Sequence, residues 1–146
     1  MGVLNDYFRA VNDEDAARVR SMAGPTAEPG FDAVDAKGVD HSVVLGQLIA
    51  LARSVEWTPD LCDGQLVAAA SDVENGPWVV RLGDDVRDTL ADLAPESLPA
   101  LAQRWAATEE LLGTPADELR VVLEQLRALA SRARDAGDAL YEWCSL

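Results

Sequence analysis

The sequence predicts an α+β fold: a single domain, residues 1–146, with a small mixed or antiparallel sheet packed by amphipathic helices and a C-terminal strand after a long helix. Three stretches carry that prediction. "TPADELRVVLEQLRALASRARDAG" repeats apolar residues at helical spacing over residues 114–136. "QLVAAAS" and "WVVRL" are β-compatible runs that predict a hairpin near residues 65–82. The chain then closes on "ALYEWCSL", which is apolar on both faces of an extended strand and so suits a strand sheltered on both sides.

From the N-terminus, "DYFRAV" is short and apolar-rich, fitting a first strand or the start of a helix. Asn12 is a suitable N-cap for a helix over "DEDAARVRSMA", whose early acids complement the positive helix end. "GPTAEPG" holds two prolines and two glycines and reads as a loop, and "FDAVDA" alternates as a short strand does. Asp40 can cap a helix through Ser54 with Val44, Leu48, Leu51, Ala52 and Val55 on its buried face. In "DVENGP", Asn75-Gly76 supplies the positive φ angles of a tight hairpin, and Pro77, lacking an N–H, belongs at a strand's start or unpaired side.

Asp84 is the expected cap of the next helix, with Val86, Leu90 and Leu93 on one stripe. A further helix begins near Ser97, with a seam of Leu98, Leu101, Trp105, Thr108 and Leu112, and ends at Gly113. The long helix has Thr114 as N-cap, Pro115 at its first position and Gly137 as its stop. Its Arg120, Arg127 and Arg134 recur every seven residues, the pattern of a solvated helix back. In the last strand Tyr141 and Trp143 are expected on one face, with Leu140, Cys144 and Leu146 on the other.

Charge narrows the functional classes. The net charge is −14, from 26 acids against 12 bases, and residues 31–77 form the most acidic stretch. Such a field repels phosphate backbones, because nucleic-acid binding depends on cations displacing counterions, so no nucleic acid is expected as partner. A basic protein partner is compatible with this field, although the first reading of an acidic surface is simply solubility. Asp6, Asp13, Glu14 and Asp15 stand where a signal peptide needs a basic end and an apolar run, and no segment approaches the ~20 apolar residues of a membrane span. A cytoplasmic protein without a membrane partner is the expectation.

The chemical inventory is thin. His41 is the only histidine, and no multi-histidine or C-x-x-C metal pattern occurs, so neither a metal nor a cofactor is expected. "FDAVDAKGVDH" gathers Asp32, Asp35, Asp40 and His41 near a helix start, where they could hold a divalent cation or line an acidic ligand cleft, although a solvated acidic turn is the first reading. Glu109 lies four residues after Trp105 and would share its helix face, where the indole could raise the carboxylate's pKa or simply mark a core edge. Cys62 and Cys144 read as structural thiols. Trp57 and Trp78 flank predicted loops, where aromatic side chains can anchor partners. No phosphate loop, dinucleotide fingerprint or nucleophile elbow occurs, and no catalytic constellation is assembled.

The "MG" start with an aromatic-bearing first segment, "VDAKGVDHSVVLGQL", "WVVRLGDDVRDTLADLAPESLPALAQRW" and the "RDAGDAL" helix end before an apolar strand together resemble the YfbM-like family of small bacterial proteins of unknown function. The ending "LYEWCSL" is also similar to uncharacterised proteins of high-GC bacteria. The resemblance implies an α+β fold and supplies no activity. The helix after "VDAKGVDH" is aliphatic here, where the family pattern is aromatic-rich. The leading functional expectation is therefore a non-enzymatic interaction module of immunity or regulatory type, presenting an acidic surface. The alternative is a small-ligand or metal-binding domain or enzyme using the cleft near Asp35, Asp40 and His41. Self-association through aromatic surfaces is a third option.

Overall fold

A computed structural model describes residues 3–21, 24–26, 30–69 and 76–146. Among these residues five strands, β1 (Leu4–Ala10), β2 (Ala33–Asp35), β3 (Gly64–Ala69), β4 (Trp78–Leu82) and β5 (Ala139–Ser145), form one sheet of order β2-β1-β5-β4-β3. Every neighbouring pair is antiparallel. The C-terminal strand is thus the centre of the sheet, hydrogen-bonded to β1 along seven residue pairs from Leu4↔Ser145 to Ala10↔Ala139. "DYFRAV" falls in strand β1 as far as Ala10, with Tyr7 in one core and Phe8 and Ala10 in another.

One core is helical. Helices α2 (Gly46–Arg53), α3 (Asp84–Ala91), α4 (Leu98–Ala106) and α5 (Ala116–Ala136) cover Tyr7, Val34, Leu82 and Leu140. On the other face, α1 (Asp13–Ala17) and the tight turn after it cover Phe8, Val79, Tyr141 and Trp143. Phe8 stacks on Tyr141 with ring centroids 5.5 Å apart. Helix α5 spans 21 residues, about 32 Å at ~1.5 Å per residue, and buries Leu119, Leu123, Leu126, Leu129, Ala130 and Ala133 before stopping at left-handed Gly137 (φ 74).

Local details depart from the sequence pattern for identifiable reasons. Asn12 does cap α1, accepting from the Asp15 N–H at 2.8 Å. The α3 cap is Gly83, with Asp84 already inside the first turn. Pro115, rather than Thr114, takes the cap position of α5. The helix expected to run from Ser97 to Gly113 stops at Ala106, because the Thr108 hydroxyl and N–H both bond the Trp105 carbonyl, at 2.7 and 3.1 Å. A separate 3₁₀ turn follows, so Leu111 turns inward while Leu112 is 71% exposed. Arg120 and Arg134 lie on the exposed back of α5, whereas Arg127 is partly buried. Arg127 and Arg134 clamp the end of α3, bonding the Leu93 carbonyl (2.6 Å) and the Asp92 carboxylate (2.6 Å).

Before α2, the chain makes a wide turn over His41–Leu45 in which the Leu45 N–H reaches back five residues to the Asp40 carbonyl. This shifts the buried face to Val44, Leu45, Leu48, Ile49 and Ala50. Ser54 is left-handed (φ 56) and ends the helix, so Val55 is exposed rather than buried. Gly76 has the expected positive φ (81), and Pro77 immediately precedes β4. Positions 72–75 of the predicted hairpin turn, Asn75 included, the last two positions of the predicted run before it at 70–71, the last residues of the predicted first helix at 22–23, and positions 27–29 of the predicted loop lie outside the described residues.

Candidate functional site

The site grows from the middle of β5. Glu142 sits between Leu140 and Cys144 on the helical face and is 2% exposed. An ionised carboxylate withdrawn from water requires several charge-assisted or neutral donors. Cross-strand register supplies two of them, since Tyr7 lies opposite Glu142 and Asn5 opposite Cys144. The Tyr7 hydroxyl is 3.0 Å from Glu142 Oε2, and Asn5 Nδ2 donates to the same oxygen at 3.3 Å. The other carboxylate oxygen, Oε1, meets His41 Nδ1 at 3.0 Å.

Each partner is fixed in turn. The Tyr7 oxygen is also 2.6 Å from the Val39 carbonyl, so a single phenolic proton faces two acceptors. Burial, reinforced by the Glu142 charge, pushes the phenol's pKa well above its ordinary value. His41 begins the wide turn that Asp40 caps by accepting from the Val43 and Val44 N–H groups at 2.8 and 3.2 Å. The imidazole lies over Gly64 of β3: a Cβ there would come within 2.8 Å of His41 Nε2 and would also collide with Val80. The hydrogen bond that His41 makes to the Glu142 carboxylate raises the imidazole's pKa, against the opposing effect of burial, with Asp40 and Asp63 adding attraction. The side chain keeps 22% exposure, and Nε2 has no hydrogen-bond partner among the described residues. The arrangement is a carboxylate-oriented imidazole with one nitrogen unspent, able to accept or donate one proton.

The two thiols border this centre. Cys62 is fully buried, and desolvation with the Glu142 charge pushes its pKa up to about 12. Cys144 is partly exposed, is approached by Asn5 Nδ2 at 3.5 Å, and is pushed to about 11 by the same causes. Both are held as thiols at neutral pH.

The sequence candidates divide between two regions. The Trp57 N–H donates to the Ser42 carbonyl at 3.0 Å, and its ring lies against Gly46, one helical turn beyond His41. Trp78 lies opposite Cys144, one row along the sheet from Glu142 and Val80. His41, Asp40, Trp57 and Trp78 therefore gather at the β3–β4–β5 end of the sheet. Asp35 stands on β2, the opposite edge, beside a groove of about 310 Å³ lined also by Gln125 and Arg132. Glu109 is exposed in the 3₁₀ turn after α4, whose stop at Ala106 separates it from Trp105. Trp105 itself is wholly buried, its N–H donating to the Val44 carbonyl at 3.0 Å.

Glu142, Tyr7 and Asn5 are the site residues that the sequence pattern passes over. Glu142 carried a signal: it is the one acidic or basic residue in a strand that is otherwise apolar on both faces. Tyr7 and Asn5 become visible only through the β1–β5 register. Among the described residues no group of three or more His, Cys, Asp and Glu side chains is placed to hold a metal ion, and no helix is long and apolar enough to cross a membrane. Comparison of the chain with protein-family models, with curated proteins and with solved structures finds no match.

Proposed function

We propose that this chain is a non-enzymatic interaction module that presents an acidic surface to a basic protein partner. The observation that carries this reading is how its cations are used. Arg9, Arg53, Arg81, Arg87, Arg132 and Arg134 are each bonded to aspartates of the same chain. Glu56, Asp60 and Asp63, in the loop after α2, Glu109 and Glu110, between α4 and α5, and Asp117 and Glu118, in the first turn of α5, have no ion-pair partner among the described residues. The internal pairs engage most of the described cations, Lys37, Arg104 and Arg127 having no ion-pair partner among the described residues, and leave an excess of unpaired negative charge outside, which favours association with cationic surfaces and opposes self-association. Kinship with the YfbM-like family is proposed on the layout alone and adds no activity to this reading. Affinity capture from native lysate tests it: a basic protein should be retained at low salt and released as salt rises. Retention of no protein, or only of proteins indifferent to salt, contradicts it.

A second reading, a small-ligand site at His41, is favoured by the Glu142–His41 bond and the unspent Nε2. A thermal-shift panel of metal ions and small anions on the wild-type chain and on His41→Ala separates the two. A stabilising ligand whose effect disappears in His41→Ala supports a ligand site, and an unchanged response in the variant removes it.

A further inference from the structure

Resting on the interaction reading above, we propose that the corner of the sheet left uncovered by the helices is the docking surface, and that its occupant is a cationic segment carrying aliphatic side chains. The register defines the corner. On the helical face, Gly64, Leu82 and Leu140 make one row, Leu66, Val80 and Glu142 the next, and Ala69, Trp78 and Cys144 the third. The first row lies under the helices, with Leu82 and Leu140 buried. Among the described residues, coverage by the helical layer ends at His41. Beyond it Val80, Trp78 and Cys144 are only partly buried, and Leu66 is 60% and Leu146 58% exposed.

This is an apolar step beside a polar wall. Adjacent exposed aliphatic and aromatic groups at the end of a sheet are an unusual expense in water for a chain this acidic, and they supply what an anchor side chain needs. Trp57, exposed against the start of α2, extends the step on the helix side. The charges around it select the occupant. Asp40 and Asp63 flank His41, and Glu56 and Asp60 share the loop of Trp57. The nearest guanidiniums are already engaged, Arg53 with Thr89 and Asp85 and Arg81 with Asp13 on the other face. A second copy, also at −14, would be repelled, whereas a lysine- or arginine-bearing segment would be attracted and its aliphatic groups would cover Leu66 and Trp78.

The test uses the full ¹⁵N-labelled chain and two short synthetic peptides, one alternating lysine with leucine and the other glutamate with leucine. The lysine peptide should shift amides at 64–66, 78–80 and 142–146, and the glutamate peptide should not. Leu66→Lys should weaken the lysine peptide about tenfold or more, while Leu112→Lys, equally exposed but remote, should leave it unchanged. The wild-type shift map decides the matter even if Leu66→Lys folds poorly. Shifts centred on residues 109–118 and insensitive to Leu66→Lys would overturn the corner while sparing the acidic-module reading. Binding of neither peptide would overturn both. Concentration-dependent dimers in light scattering, abolished by Leu66→Lys, would show a second copy in the corner and overturn the cationic occupant.

Discussion

Glu142 sets the demands on its neighbours, because a buried carboxylate that loses a donor keeps the full cost of desolvation. Tyr7→Phe removes one such donor from both Glu142 and the Val39 carbonyl, and chemical denaturation should show a loss of about 1–3 kcal/mol. Glu142→Gln should lower the titration midpoint of His41 toward its ordinary value, read from the imidazole proton shifts by NMR. The pH dependence of stability follows from the same bond. The pKa of His41 is raised on folding, so the stabilisation it brings is complete below the unfolded value of about 6.5 and is lost as pH climbs through the higher folded value. Denaturation midpoints of the wild-type chain should therefore fall across the neutral to mildly alkaline range by more than those of His41→Gln. At this scale the sequence was partly legible. Asp40 announced its capping role through its place before an apolar run, and His41 through being the only histidine. Tyr7 and Asn5 stayed silent, because a hydrogen bond spanning 135 residues leaves no local pattern.

Elements were legible where a local rule acts without competition. Helix α5 has its acids at one end, Gly137 at the other and an uninterrupted apolar stripe, and it forms within one residue of its expected limits. The segment after Asp40 is apolar on nearly every side, so periodicity alone could not choose which side faces the core; the five-residue turn at His41–Leu45 chose it. Such wide turns recur at functional sites, and here the turn sets the imidazole over β3. Gly64 is the matching feature on the sheet. Gly64→Ala must displace Val80 or the His41 ring, and a loss of about 1–3 kcal/mol with a changed His41 chemical shift is the expected result. The break after Trp105 was hidden for another reason: Thr108 fits a helical seam by spacing, yet its hydroxyl turns back on the Trp105 carbonyl and ends the helix.

At the scale of the molecule, the antiparallel sheet with β5 at its centre follows from the apolar ending of the sequence, and the helices cover one face only as far as His41. The uncovered corner could not be read from the sequence, since Leu66, Trp78 and Cys144 become neighbours through strand pairing alone. Acidity was legible from composition, but its availability was not, because the internal pairing of the arginines is a tertiary fact. A photo-crosslinking residue placed at position 66, compared with one at position 109, tests the central claim most directly in the cell. A basic protein captured at 66 and absent at 109 is the predicted result. Equal capture at both positions, or a crosslink at 66 only to a second copy of the chain, would contradict it.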